Sequence, residues 1–217
     1  MNNPIGPKAV IDCYSFLDVF AEWIPDYTDG RYMGNDRISY EQAQVNQAEY
    51  LLDEIKCGPD YRLLDIGCGN GRILQAAKAR GAYALGITIS PEQAGKNNDS
   101  GLETRLLNYK NIPKEWNGSF DGIIANGSIE HFVQLEDALA GRQSKIYSEM
   151  FEIMHRVLKP GGEAATTVIH FRFSIDPKET ARGTMAFKRG SLHFHSAQLA
   201  RDFGGWHPKE NQLIDCA

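Results

Sequence analysis

The chain has 217 residues, 42% of them hydrophobic and 24% charged, with a formal net charge of -5. That length suits one domain with an appendage and a sizeable core. The balance excludes disordered, collagenous and coiled-coil chains, and the lack of a general positive field argues against a nucleic-acid partner.

The start, MNNPIGPKAV, has no basic region followed by an apolar run, and no stretch approaches the ~18 apolar residues of a membrane span. A reduced, cytoplasmic protein is the expectation. Val10, Ile11, Tyr14 and Leu17 make a helical stripe from about Lys8 to Trp23, which Pro25 stops. Residues 26–38 are polar, aromatic and Gly-bearing, hence a loop. Ser39-x-x-Gln42 is a capping box, and Val45, Ala48, Leu52 and Ile55 give an amphipathic helix over 40–56, ended by Gly58-Pro59.

From residue 60 short apolar runs alternate with helical patterns. The runs are Tyr61–Ile66, Ala82–Ile89, Leu102–Leu107, Phe120–Ala125 and Glu163–Phe171; the helices fall at about 71–80, 91–98 and 135–158. Such alternation predicts an α/β fold with a doubly wound, mainly parallel sheet. Residues 1–59 then form an N-terminal helical cap or lid and 60–217 the sheet domain. Residues 172–190 are locally basic, and Ser196–Phe203 makes a short final helix.

The informative segment is Leu63-Leu64-Asp65-Ile66-Gly67-Cys68-Gly69-Asn70-Gly71-Arg72. An apolar strand meets three alternating glycines and then a helix. Glycine permits positive φ and lets a ligand approach the backbone, while the helix N-terminus offers free N–H groups. A nicotinamide site is the competitor. However, the spacing is G-x-G-x-G, and the second strand ends in Thr88-Ile89-Ser90 without the acid that holds an NAD ribose. Asp65 suits a cationic ligand better than a pyrophosphate.

LLDIGCGNGRIL resembles the first motif of class I S-adenosylmethionine-dependent methyltransferases, and Leu158-Lys159-Pro160-Gly161-Gly162 their turn before the fifth strand. Gly86–Gln93 (GITISPEQ) and Phe120–Phe132 (FDGIIANGSIEHF) resemble the cyclopropane-fatty-acid and mycolic-acid cyclopropane synthase branch. Tyr27–Tyr32 matches that branch's N-terminal loop more loosely, and the resemblance covers about residues 15–170. It implies a Rossmann-like fold and S-adenosylmethionine as cofactor. By the same resemblance Gly67, Cys68 and Gly69 line the methionine part, with Asp65 at the strand tip. Thr88 and Gln93 take the ribose hydroxyls, with Ser90 beside them. Asn108 and Tyr109 flank the adenine, and Tyr27 and Thr28 close over the cofactor's carboxylate. Glu130, with His131, stands beside the reacting centre.

Two positions depart from the branch. Asp29 stands where the synthases carry a Cys, and Thr167, with His170 close by, where they carry a His. An Asp repels a bound carbonate. Methyl transfer to a small-molecule or lipid-like acceptor therefore fits better than cyclopropane or methyl-branched acyl synthesis, and a non-catalytic cofactor-binding subunit is the reading from another class. Each residue also has a plainer role. Ser90-x-x-Gln93 is a helix cap, Cys68 a buried small residue, Glu130 and His131 solvated loop residues, and the tyrosines packing for the lid.

His193-x-His195 lacks acid or Cys partners at ligand spacing, so no metal is expected. Class I enzymes usually add two strands after the fifth. Here the tail Gln212–Ala217 offers at most the start of a sixth, so the C-terminal sheet edge reads as incomplete, an edge that invites pairing with a second chain.

Overall fold

The computed structural model describes residues 5–20, 23, 26–172, 175–209 and 211–217. Its centre is a sheet of five strands, β1 (Arg62–Ile66), β2 (Tyr83–Thr88), β3 (Thr104–Leu106), β4 (Phe120–Asn126) and β5 (Leu158–Thr167). Their order is β3-β2-β1-β4-β5, and every pairing is parallel. The strand order reverses between β1 and β4, where a doubly wound sheet opens a crevice at its carboxyl edge.

The helices are α1 (Lys8–Asp18), α2 (Tyr40–Glu54), α3 (Arg72–Ala79), α4 (Pro91–Asp99), α5 (Leu135–Leu139), α6 (Gln143–Val157), α7 (Pro177–Thr180), α8 (Leu192–Asp202) and α9 (Gln212–Cys216). Leu63 and Ile124 bury one sheet face against Ala48, Leu51 and Leu52 of α2, Ile55 just past its end, and Ile73 and Ala77 of α3. Leu64, Ile66 and Ile123 bury the other against Tyr147, Met150 and Val157 of α6. Each such large apolar side chain stabilises the fold by roughly 1.5–3 kcal/mol. α2 is thus a layer of the sheet domain, and α1 with the 26–29 loop reaches over the carboxyl edge.

α1 ends at Asp18, short of the expected Trp23; Pro25, read as its stop, lies outside the described residues. Ser39 caps α2 by accepting from the Gln42 amide at 3.1 Å, but the Gln42 side chain turns to Asn46, so the box is half formed. The single helix expected over 135–158 is two, because Gly141 at φ +68° breaks it and the Arg142 amide turns back to donate to Asp137 O at 2.9 Å.

β5 starts earlier than expected. Leu158 already pairs with Phe120, and residues 159–162 bulge out before Glu163 pairs with Gly122. It also ends at Thr167, and Phe171 makes only an isolated bridge to Lys209. The tail expected to begin a sixth strand is α9 instead. Leu213 and Cys216, three apart, face α6 while Ile214 is exposed, a helical and not an alternating pattern. Among the described residues no strand lies beyond β5, and no helix is long and apolar enough to cross a membrane.

Candidate functional site at the carboxyl edge of the sheet

The loops after β1, β2, β3 and β4 converge with α1, the 26–29 loop and residues 199–207 on one cavity of about 370 Å³. That volume lies within the range of about 300–1,000 Å³ of small-molecule sites.

The glycine loop forms its floor. The Gly67 and Cys68 amides both donate to Ile87 O, at 2.8 and 3.1 Å. Gly67 has φ +81°, and a Cβ there would lie 2.4 Å from Ser128 Cβ; Ser128 Oγ in turn donates to Ile66 O at 2.7 Å. Gly69, at φ +51°, faces open space and lines the cavity. Gly71 serves packing, against Asn97 and Leu102. Cys68, by contrast, turns its thiol away. It is buried against Leu74 and Leu102 and takes a weak bond from Asn97 Nδ2, so its side chain does not reach the cavity.

Asp65 is 1% exposed, and among the described residues neither carboxylate oxygen has a hydrogen-bond partner. Burial, helped by the nearby Asp26 charge, pushes its pKa up to about 8. A buried, unanswered carboxylate is costly unless a ligand supplies a cation or donor.

The β2 end is self-satisfied. Thr88 Oγ1 donates to Gln93 Oε1 at 2.8 Å, the Gln93 amide caps on Ser90 Oγ at 3.2 Å, and all three residues line the cavity. The cap and the lining role coexist. Asn108 and Tyr109 line it from the β3 side. Asn108 Nδ2 donates to Ile5 O at 3.0 Å, and Tyr109 stacks on Phe132 with centroids 4.1 Å apart.

The N-terminal loop is pinned from below. Arg72 pairs with Asp26, Gln44 donates to the Asp26 and Thr28 carbonyls at 3.0 and 2.9 Å, and Tyr40 to Thr28 O at 2.6 Å. Thr28 Oγ1 donates to Asp26 Oδ1 and the Tyr27 hydroxyl to Leu17 O, so both line the cavity with hydroxyls already used.

Glu130 is 4% exposed, with Oε2 unpartnered among the described residues. Burial raises its pKa to about 7, against backbone hydrogen bonds from its own amide and that of Ile169. His131 is held at both nitrogens: the Tyr14 hydroxyl lies 2.9 Å from Nε2, and Gly204 O 3.3 Å from Nδ1. Burial lowers its pKa, and this bonding suits one neutral tautomer with Nδ1–H donating and Nε2 accepting. His131 therefore anchors α1 and is not a free base.

Thr167 lies outside the cavity, bonded to Asn126 Oδ1 at 2.6 Å and to the Gly127 amide at 3.1 Å, and His170 is exposed. Asp29 does line the cavity. The imidazole that joins it beside His131 is His207, buried and held well below its usual pKa, at about 4. No motif marked His207, Ser128 lies inside the Phe120–Phe132 motif with no role assigned to it, and Tyr14 reads only as part of an apolar stripe. No group of described residues forms a metal cluster, and His193 instead stacks on Phe187.

The family model described as mycolic acid cyclopropane synthetase matches residues 15–197. A Mycobacterium tuberculosis protein named "Probable fatty acid methyltransferase" is 32% identical over 135 residues, 57% of this chain and 31% of that one. Cyclopropane mycolic acid synthase 3 of the same organism is 26% identical over 190 residues, 82% of this chain and 59% of that one. The chain thus spans less than two-thirds of either relative. The solved structure of a mycolic acid cyclopropane synthase complexed with SAH and CTAB superposes with a TM-score of 0.71 at 21% identity, over 97% of this chain and 73% of that one, a likeness of fold.

Proposed function

Because the chain belongs to the mycolic acid cyclopropane synthetase family, we propose that it binds S-adenosylmethionine in this cavity and transfers its methyl group to a small-molecule or lipid-like acceptor. The observation that carries the reading is the pairing of an open, positive-φ glycine floor with the buried, unanswered Asp65 carboxylate beneath the same loop. An amino-acid-bearing sulfonium supplies the cation that carboxylate lacks, and Gly69 leaves room for it.

In this reading Gly67, Gly69 and the Cys68 backbone hold the methionine part, Thr88, Ser90 and Gln93 the ribose side, and Asn108 and Tyr109 the base. Tyr27, Thr28 and α1 form the lid, latched by the Tyr14–His131 bond. When bound, the cofactor supplies an electrophilic methyl on sulfur, and the protein supplies orientation and dryness. Glu130 is the base, with its pKa near neutrality. The cavity continues from the glycine floor to Glu130 and His207, which favours catalysis over a non-catalytic binding subunit.

A thermal melt tests this. S-adenosylhomocysteine at 100 times its dissociation constant should stabilise the protein by about 2.7 kcal/mol, and NAD should not. Stabilisation by NAD alone would overturn the proposal.

A further inference from the structure

Residues 204–207 are bolted alongside Glu130–Val133. Gly204 O accepts from His131 Nδ1 and Gln134 Nε2, both at 3.3 Å. Gly205 approaches so closely that a Cβ there would sit 2.4 Å from Glu130 O. The Trp206 amide donates to Val133 O at 2.7 Å, and Trp206 O accepts from the Tyr147 hydroxyl at 3.3 Å. His207 follows, 7% exposed, with its ring edge-on to Phe171 at 5.2 Å.

Glu130 Oε2, which no donor among the described residues answers, and the neutral His207 ring are thus held by one rigid apposition and line one cavity. The charge around them is one-sided. Asp29 faces Glu130 from the loop, and Lys110 is the one lysine or arginine among the described lining residues. Among the described lining residues Lys110 alone offers an anionic acceptor a charged side chain. Val10, Ile11, Leu199 and Phe203 give the same cavity apolar lining.

We infer that Glu130 and His207 together bind the nitrogen of the methyl acceptor, a primary or secondary amine on an apolar tail. This rests on the methyltransferase reading and names the substrate class of that site. The ammonium donates one N–H to Glu130 and another to His207. Glu130 takes one proton and becomes the neutral acid. The freed nitrogen lone pair then forms the N–C bond as the C–S bond breaks, its electron pair staying on sulfur. The products are the N-methylammonium and a neutral thioether.

Calorimetry on the full chain tests this, with hexylamine, hexanoate and 1-hexanol titrated into protein saturated with S-adenosylhomocysteine. Hexylamine should bind and hexanoate should not. Asp29, Tyr14 of α1 and Tyr147 of α6 face Glu130, and His131 and His207 line the same cavity. Burial keeps both tyrosines protonated and His207 neutral between pH 6 and 8, and it holds His131 below its ordinary value. Hexylamine affinity should therefore fall about tenfold from pH 8 to pH 6, as Glu130 protonates.

Glu130→Gln should abolish that pH dependence. His207→Leu should weaken hexylamine about fivefold or more and keep the pH dependence. Both variants should bind S-adenosylhomocysteine within about twofold of the parent. Hexanoate binding as tightly as hexylamine, no amine binding to the loaded protein, or amine binding indifferent to both substitutions overturns the inference alone. Failure of S-adenosylhomocysteine to bind overturns the methyltransferase reading, and this inference with it.

Discussion

Gly67 and Gly69 lie two residues apart in one loop, and the structure separates what an alanine does at each. At Gly67 the backbone sits at φ +81°, where a Cβ costs roughly 1–2 kcal/mol. The new methyl would also lie 2.4 Å from Ser128 Cβ and 2.9 Å from its Oγ, so Ser128 must move. Moving it breaks the 2.7 Å bond to Ile66 O, worth about 1 kcal/mol and leaving buried polar atoms behind. Gly67→Ala should therefore lose about 3 kcal/mol of stability. At Gly69 the φ of +51° carries a similar backbone cost, but nothing lies within 4 Å of the added Cβ. Gly69→Ala should lose only about 1–2 kcal/mol, yet project its methyl into the space assigned to the cofactor and cut affinity for S-adenosylhomocysteine at least tenfold. Urea titrations read the first quantity and calorimetry the second. A Gly69→Ala protein that binds as tightly as the parent refutes this account of the loop, as does a Gly67→Ala protein as stable as the parent.

Three further outcomes follow from the buried polar groups. Asp65 has a folded pKa raised above its unfolded value, so its ionised form destabilises the free protein increasingly as pH rises from about 4 to about 8. Asp65→Asn should stabilise the free protein at pH 8 by about 1–3 kcal/mol while weakening cofactor binding; denaturation at pH 5 and pH 8 with parallel titration checks both. Glu130→Gln should keep cofactor affinity and lose turnover, and in the parent turnover should rise with pH through about 7; unchanged methyl transfer by the variant would remove Glu130 from the chemistry. Tyr14→Phe removes the hydroxyl bonded to His131 Nε2 and should cost about 1–3 kcal/mol, seen in thermal melts. Faster cofactor dissociation in that variant would mark the bond as a lid latch.

The sheet and the glycine floor were legible because they are written locally. Apolar runs of strand length, turn glycines and the β1–loop–α3 unit each declare themselves within a dozen residues. What stayed hidden depends on distant partners. Nothing near Cys68 in sequence reveals that Gly86 and Leu102, from other elements, draw its thiol inward. His131 looks like a base until Tyr14 and Gly204, far away in the chain, occupy both its nitrogens. His207 reaches the cavity only because Gly204–Trp206 pack along Glu130–Val133. The tail's short apolar pattern fitted a strand or a helix equally, and contact with α6 decided it.

The central claim is that this cavity holds S-adenosylmethionine on the Gly67–Gly69 floor above Asp65. Isothermal titration of the parent and of Asp65→Ala and Gly69→Ala with S-adenosylmethionine tests it most directly. The parent should show one saturable site, weakened at least tenfold by either substitution. No binding by the folded parent, or parent-like binding by both variants, contradicts it.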